Sequence, residues 1–318
     1  MKRIKINRLK QVNVNVKKSL LALNLRKVAL RLTALAVVLA IVSGVFWYKD
    51  IYMTDERRFW LAMDNSMATP SVVRTLTSGG TGNQVIQENR FFFSPDVLSQ
   101  SRVEFSNRSA TVETTVVTEG ISTLDSQFSR YIQFETNDPR EDGTVPSLDE
   151  VLGKWAGQTA PEEEEENARL NYVSELVTLA IFGNFDPAYR SQVIETFKSN
   201  DTYRIATQNI VEDTVNGETV LVYPVSVGLQ SFAEQLQAGF VRTGLGDFPP
   251  LNPDNYREDS RVSAQIAVRK KDNTIVGILF GDRQESYQNY GVQKEVELPS
   301  PEFTPQELET TVQNLVQG

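Results

Sequence analysis

The groups that could carry chemistry in this chain are carboxylates, hydroxyls, lysines and arginines, because its 318 residues include no histidine and no cysteine. That removes imidazole bases, thiolate nucleophiles, disulfides, Cys/His zinc sites and lipidated cysteine. Ser-Lys chemistry is the familiar nucleophilic option left, and no Ser-x-x-Lys motif occurs. Glu162–Glu166 gathers carboxylates, but consecutive helical residues point in different directions and helix N-termini favour negative charge, so the run reads as a solvated helix start. Asp138, Glu141 and Asp142 around Gly143 lack the EF-hand spacing and read as a surface turn. Gly79-Gly80-Thr81-Gly82 lacks the P-loop lysine and a following helix. Asn107-Arg108-Ser109 and Asn200-Asp201-Thr202 are glycosylation sequons, meaningful only in a eukaryotic secretory route. Carboxylate pairs for glycoside hydrolysis depend on spatial geometry, which sequence spacing does not fix. No acidic residue stands alone on an apolar strand end, the pattern that would signal a raised pKa. The expectation is a non-enzymatic protein with no metal and no cofactor.

What remains is apolar recognition. Phe59, Trp60, Met63 and Met67 recur on one face of a helix predicted over 54–68. Asp55 and Glu56 fall in its first turn, where the dipole favours them, and Pro70 stops it. With Phe91, Phe93 and Phe105 from neighbouring strands, Phe59, Trp60 and Met63 are the candidate liners of an apolar cavity. The same residues serve equally well as ordinary core, since inward-facing side chains look alike whether they touch each other or a ligand.

Charge divides the chain. Residues 1–31 carry ten basic side chains and no acidic one, whereas residues 50–318 hold 21 basic and 41 acidic residues, a net of −20. Between them Leu32–Trp47 runs for sixteen residues without a charge, and Val28–Leu30 extend the apolar stretch. About twenty helical residues cross a hydrocarbon core of about 30 Å. Arg31 can carry its guanidinium up to one headgroup layer, and Phe46, Trp47 and Tyr48 form an aromatic belt at the other. The positive-inside rule keeps residues 1–31 cytoplasmic, against anionic lipid, and exports residues 50–318. A cleaved signal peptide would have a shorter apolar core and a clearer small-x-small site than Val42-Ser43-Gly44. The expectation is therefore a single-pass cell-membrane protein: basic tail 1–31, transmembrane helix 32–48, and an extracytoplasmic domain 50–318. No nucleic-acid partner is expected.

The elements of the exported part predict an α+β fold. Alternating strands fill 71–136, and a helical insert covers about 147–199. In the insert, Ser147-Leu148-Asp149-Glu150 opens a helix with Leu148, Val151, Leu152 and Trp155 inward. A second helix runs from Glu162–Glu166 to Ile181, stopped by Gly183, and a third is capped by Asp186-Pro187. Strands return over 202–298: Tyr203–Thr214 and Glu218–Val227 flank the Asn216-Gly217 hairpin, and an amphipathic helix carries Leu229 to Phe240. Strands at Val262–Val268, Ile275–Phe280 and Tyr287–Val296 follow, and Thr304-Pro305-Gln306-Glu307 opens a terminal helix.

The segment Asp213-Thr214-Val215-Asn216-Gly217-Glu218-Thr219-Val220-Leu221-Val222-Tyr223-Pro224-Val225-Ser226-Val227, a short helix after it, and the late segment Tyr290–Pro299 resemble the LolA/LppX/LprG-like superfamily of exported lipoprotein carriers and lipid-binding lipoproteins. The resemblance covers about 54–300 in element order and about 40 residues in motif. It implies an N-terminal helix before an antiparallel sheet curled into an unclosed barrel, with helices on the concave face. It also implies a lipid or other apolar ligand held between sheet and helices by a diffuse apolar surface, so no individual functional residue carries over. The chain departs from the group in lacking a cysteine for lipidation and in its large acidic insert. A second reading stays open beside the first: a cell-envelope scaffold with a filled core that binds a protein partner.

Overall fold

The computed structural model describes residues 33, 36–44, 53–80, 82–159, 165–215, 217–292 and 294–317. The chain divides into two units, residues 1–54 and 55–318. In the first, residues 36–44 are helical and exposed. Among the described residues no helix is long and apolar enough to cross a membrane. Arg31, Phe46, Trp47 and Tyr48, which bound the predicted span, lie outside the described residues.

In the second unit, helix α1 (Asp55–Met67) leads into five strands. These are β1 (Ser71–Gly79), β2 (Asn83–Phe92), β3 (Leu98–Arg108), β4 (Glu113–Thr123) and β5 (Ser126–Thr136). After β6 (Ala156–Thr159) come α2 (Glu165–Leu176) and α3 (Pro187–Ser199). The chain returns through β7 (Tyr203–Ile205), β8 (Val211–Val215) and β9 (Glu218–Gly228) to α4 (Leu229–Arg242). It closes with β10 (Arg261–Arg269), β11 (Ile275–Phe280), β12 (Arg283–Gln288) and α5 (Pro305–Gln317).

All twelve strands join one sheet in the order β6-β5-β4-β3-β2-β1-β12-β11-β10-β9-β7, with β8 also on β9. Every pairing is antiparallel, and β6 and β7 end the path without meeting, so the curved sheet is unclosed. The two strand blocks of the sequence become continuous because β1 pairs with β12, Arg74 opposite Tyr287 and Leu76 opposite Glu285. Period-2 alternation then sends one set of side chains to the helices. From β9 and β10 these are Leu221, Tyr223, Val225, Val227, Ala264, Ile266 and Val268. They form the main core with Phe59 and Met63 of α1, Phe197 of α3 and Phe232, Leu236 and Phe240 of α4.

The predicted caps are realised where the helices exist. Asp186 accepts from Tyr189 N at 3.0 Å. Thr304 and Glu307 cap each other, Thr304 N to Glu307 Oε2 at 2.8 Å and Glu307 N to Thr304 Oγ1 at 3.2 Å.

Four elements differ from expectation, each for a local reason. The Ser147 cap does accept from Asp149 N at 3.1 Å, but the chain makes only turns and leaves at Gly153, whose φ is +77°. Leu148 and Val151 are still buried, in a second small core with Ala156 and Leu308 of α5. Helix α2 stops at Leu176, short of Ile181: Arg283 Nη2 donates at 3.3 Å to Val177 O, the carbonyl that Ile181 N would need, and Thr178 is drawn to Glu285. Tyr203 OH donates to Leu179 O at 2.9 Å and Ser66 Oγ to Ile181 O at 2.8 Å. The predicted strand 203–214 is interrupted by a 3-10 turn at Thr207–Asn209, and its halves, β7 and β8, both pair with β9. The last strand begins at Arg283 rather than Tyr287 and ends at Gln288, because Asn289 and Gly291 take φ of +55° and +71° and turn the chain away.

Candidate functional site

Register places the sequence-predicted liners on the face that the helices cover, since residues opposite one another in an antiparallel sheet share a side. Phe59, Trp60, Met63 and Phe91 are buried in the main core. The Phe59 ring lies 5.2 Å from Trp60, 5.6 Å from Tyr203 and 5.4 Å from Tyr223, centroid to centroid, so protein side chains fill that space. Phe93 stacks on Phe91 at 6.5 Å from a partly buried position. Phe105 stands apart: it lies towards the far end of β3 and is 36% exposed.

Phe105 belongs to a strip that the helices do not fully cover. One row across the sheet is Val85, Phe105, Val116 and Phe134. The row above it is Glu285, Leu76, Gln87, Val103 and Thr118. Leu76, Val85, Val103, Val116 and Phe134 are all half-buried. Apolar side chains left partly open on the covered face of a sheet are where an apolar ligand gains most by burial.

One row further in, the sheet turns polar. Tyr287, Arg74, Asn89, Ser101 and Gly120 stand side by side across β12, β1, β2, β3 and β4. Glu175 of α2 and Thr178 just after it meet this region from above. Glu285, 1% exposed, is fully engaged: Arg283 Nε donates to its Oε1 at 2.6 Å, while the Thr178 and Tyr287 hydroxyls both donate to Oε2. Glu175 accepts from Asn89 Nδ2 at 3.3 Å and from Ser99 Oγ at 3.5 Å. Arg74 is the exception. It is 3% exposed, its guanidinium carbon lies 5.2 Å from the Phe91 ring centroid, and neither Nε nor Nη1 has a hydrogen-bond partner. The Tyr172 hydroxyl and Asn89 Oδ1 are likewise buried without a partner.

Burial sets the electrostatics here. It lowers the Arg74 pKa, although a guanidinium stays charged at neutral pH. It raises the Glu175 carboxyl above its ordinary range, with Arg74 pulling the other way. It also pushes Tyr287 well above 10, reinforced by Glu285. Because the folded pKa of Glu175 is raised, its protonated form favours folding: that contribution is complete below about 4.5 and is lost as pH rises through the folded value. Glu175→Gln is accordingly expected to melt at a higher temperature relative to the parent chain as pH rises from 4 to 8. Parallel melting curves across that range would show that Glu175 ionises as freely in the fold as outside it.

The residues first weighed for chemistry lie elsewhere. Asp142 accepts from Thr144 N and Oγ1 at 2.9 and 2.7 Å, in a turn with Gly143 at φ +83°. Gly79, Gly80 and Gly82 lie where β1 passes to β2, with Gly80 N bonding Asn83 O at 2.9 Å, and Thr81 and Glu162–Glu164 lie outside the described residues. Among the described residues no cluster of three or more carboxylates is placed to hold a metal ion. A separate open groove of about 580 Å³ runs over β7, β9, β10 and β11, on the face turned away from the helices, lined by Ala206, Pro224, Ser263, Gln265 and Leu279 among others. Sequence patterning found Phe105 but passed over Arg74, whose alternation with Val72 and Leu76 placed it on the covered face and could have marked it.

No family model matches the chain, and no curated protein matches it. Among solved structures it is similar to LprF from Mycobacterium bovis, with 12% identity, 78% of this chain and 98% of that chain covered, and a TM-score of 0.36.

Proposed function

We propose that the unit 55–318 is an extracytoplasmic, non-catalytic binding module that holds a lipid or other apolar ligand between its curved sheet and the helices over it, tethered to the cell membrane by 32–48. The observation that carries this is the half-open apolar strip of Leu76, Val85, Val103, Phe105 and Val116. The tether rests on the uncharged run 32–47 between a basic flank and an aromatic one.

The full chain, purified from a membrane-containing host and released from maltoside micelles in a native mass spectrometer, is expected to carry an added mass that solvent extraction recovers as lipid. Phe105→Asp places a charge on the strip at a partly exposed position, so it is expected to lower lipid occupancy several-fold while the melting temperature changes little. A clean mass, together with no uptake of fluorescent lipid probes, would overturn the proposal. One observation favours the envelope-scaffold reading: the open groove over β7–β11, where Leu279 is 41% exposed. Protein partners lost with Leu279→Asp, and not with Phe105→Asp, would select it.

A further inference from the structure

Half of the sheet's outer face is free of charge at its centre. Across β9, β10, β11, β12 and β1, one row turned away from the helices is Pro224, Gln265, Leu279, Gln284 and Thr77. The next row is Val222, Ala267, Gly277, Ser286 and Thr75. It continues onto β2, β3, β4 and β5 as Glu88, Arg102, Glu119 and Arg130, a charge on every strand. The uncharged half stands out further because residues 50–318 carry a net −20. Within it Leu279 and Gly277 make a knob beside a hollow. Leu279 is 41% exposed, and Gly277 lies two residues back on the same strand and face, about 7 Å away. Nothing inside the chain requires glycine at 277. Its φ is not left-handed, and a Cβ there would meet Glu285 O at 3.5 Å and Ala267 Cβ at 3.7 Å, ordinary van der Waals distances. The β-bulge next to it takes Val276 as its extra residue. A glycine inside a strand weakens it and often marks the close approach of another backbone.

We propose that two copies of the chain meet on this face, Leu279 of each seated on Gly277 and Ala267 of the other. A two-fold axis lying between the stacked sheets and crossing β11 at Ile278 produces that exchange, because it sets position 279 of one copy over position 277 of the other. Charge selects a second copy as the occupant. A basic partner would gain from the acidic surface elsewhere on the unit. Another copy is repelled by that surface and approaches closely only where it is absent. Five strands about 4.8 Å apart and about 20 Å long give each copy about 500 Å² of flat area before side-chain relief, which suits a reversible dimer rather than an obligate one. The inference goes beyond the lipid reading and does not depend on it.

Sedimentation velocity of the full chain in maltoside micelles tests this. A monomer–dimer equilibrium is expected, shifting at least about fivefold towards dimer between about 0.05 and 0.5 M NaCl as the repulsion between like-charged copies is screened. Leu279→Asp should weaken the dimer at least about tenfold, and Gly277→Val should do the same by filling the hollow. Both variants should melt close to the parent chain and carry as much lipid. A monomer at every concentration up to about 0.1 mM would overturn the proposal. So would a dimer indifferent to both variants, which would put the contact elsewhere, or one that salt dissociates, which would be held by ion pairs. A different protein recovered with a monomeric parent and lost with Leu279→Asp would assign the face to that protein instead. Leu279 stands at an exposed position, so a misfolded Gly277→Val does not block the test.

Discussion

Glu285→Ala is expected to destabilise the unit 55–318 by about 3–5 kcal/mol, the usual cost of removing one partner from a buried ion pair. Glu285 is 1% exposed and meets three side-chain donors. Its carboxylate is desolvated and holds Arg283 from β12 together with Thr178 from the segment after α2 and Tyr287 from the neighbouring position on its own face. Truncation would take the shared carboxylate away from Arg283, Thr178 and Tyr287, beside an Arg74 whose Nε and Nη1 already lack a hydrogen-bond partner. It would also remove one of the ties between the α2–α3 connection and the sheet, Thr178 to Glu285, leaving Arg283 Nη2 on Val177 O and Tyr203 OH on Leu179 O. Glu285→Gln keeps the shape and one acceptor oxygen, so it should lose less. Urea unfolding of the two variants against the parent would measure this; a loss below about 1 kcal/mol for alanine would mean the network contributes specificity rather than stability.

Phe59→Ala is expected to cost a similar amount, about 3–5 kcal/mol, for a different reason: it removes a large ring from a close-packed site. Phe59 is 0% exposed and meets Trp60, Tyr203 and Tyr223 at 5.2–5.6 Å, where α1, β7 and β9 come together. Aromatic neighbours held by their own hydrogen bonds, Tyr203 to Leu179 O and Tyr223 to Asp55 O, cannot collapse into the hole. Phe59→Leu should recover roughly half of the loss, because less volume is removed. The expected pattern has a functional side. Phe59→Ala should lower the unfolding midpoint without changing which lipid probes bind, whereas Phe105→Asp should do the reverse. A change of lipid selectivity in Phe59→Ala would place Phe59 in the ligand site.

The amino-acid sequence by itself determined the local order of this protein. The strict alternation of Val262, Ala264, Ile266 and Val268, the Met-aromatic face of 54–68, the Asp186 and Thr304 caps and the hairpin at Gly217 depend on neighbours a few residues away, and each appears as a strand, helix, cap or turn where it was expected. Local signals failed where a distant group intervened. A helix through Ile181 loses to Arg283, which takes Val177 O, and a strand through Val296 loses to the turn at Asn289–Gly291, where Gly291 N bonds Ser71 O at 3.0 Å.

Tertiary structure alone decided which blocks joined and which residues stood together. Pairing of β1 with β12 fuses the two strand blocks through residues about 210 positions apart, and no local preference specifies that choice. The same pairing sets Arg74 beside Tyr287 and Glu285 and brings α2 over them. The alternation of Arg74 with Val72 and Leu76 shows which face it joins, but not which groups it meets there. Its meaning comes from groups supplied by β2, β12 and α2, because a charge is expensive only in relation to the water it has lost and the partners it has not gained.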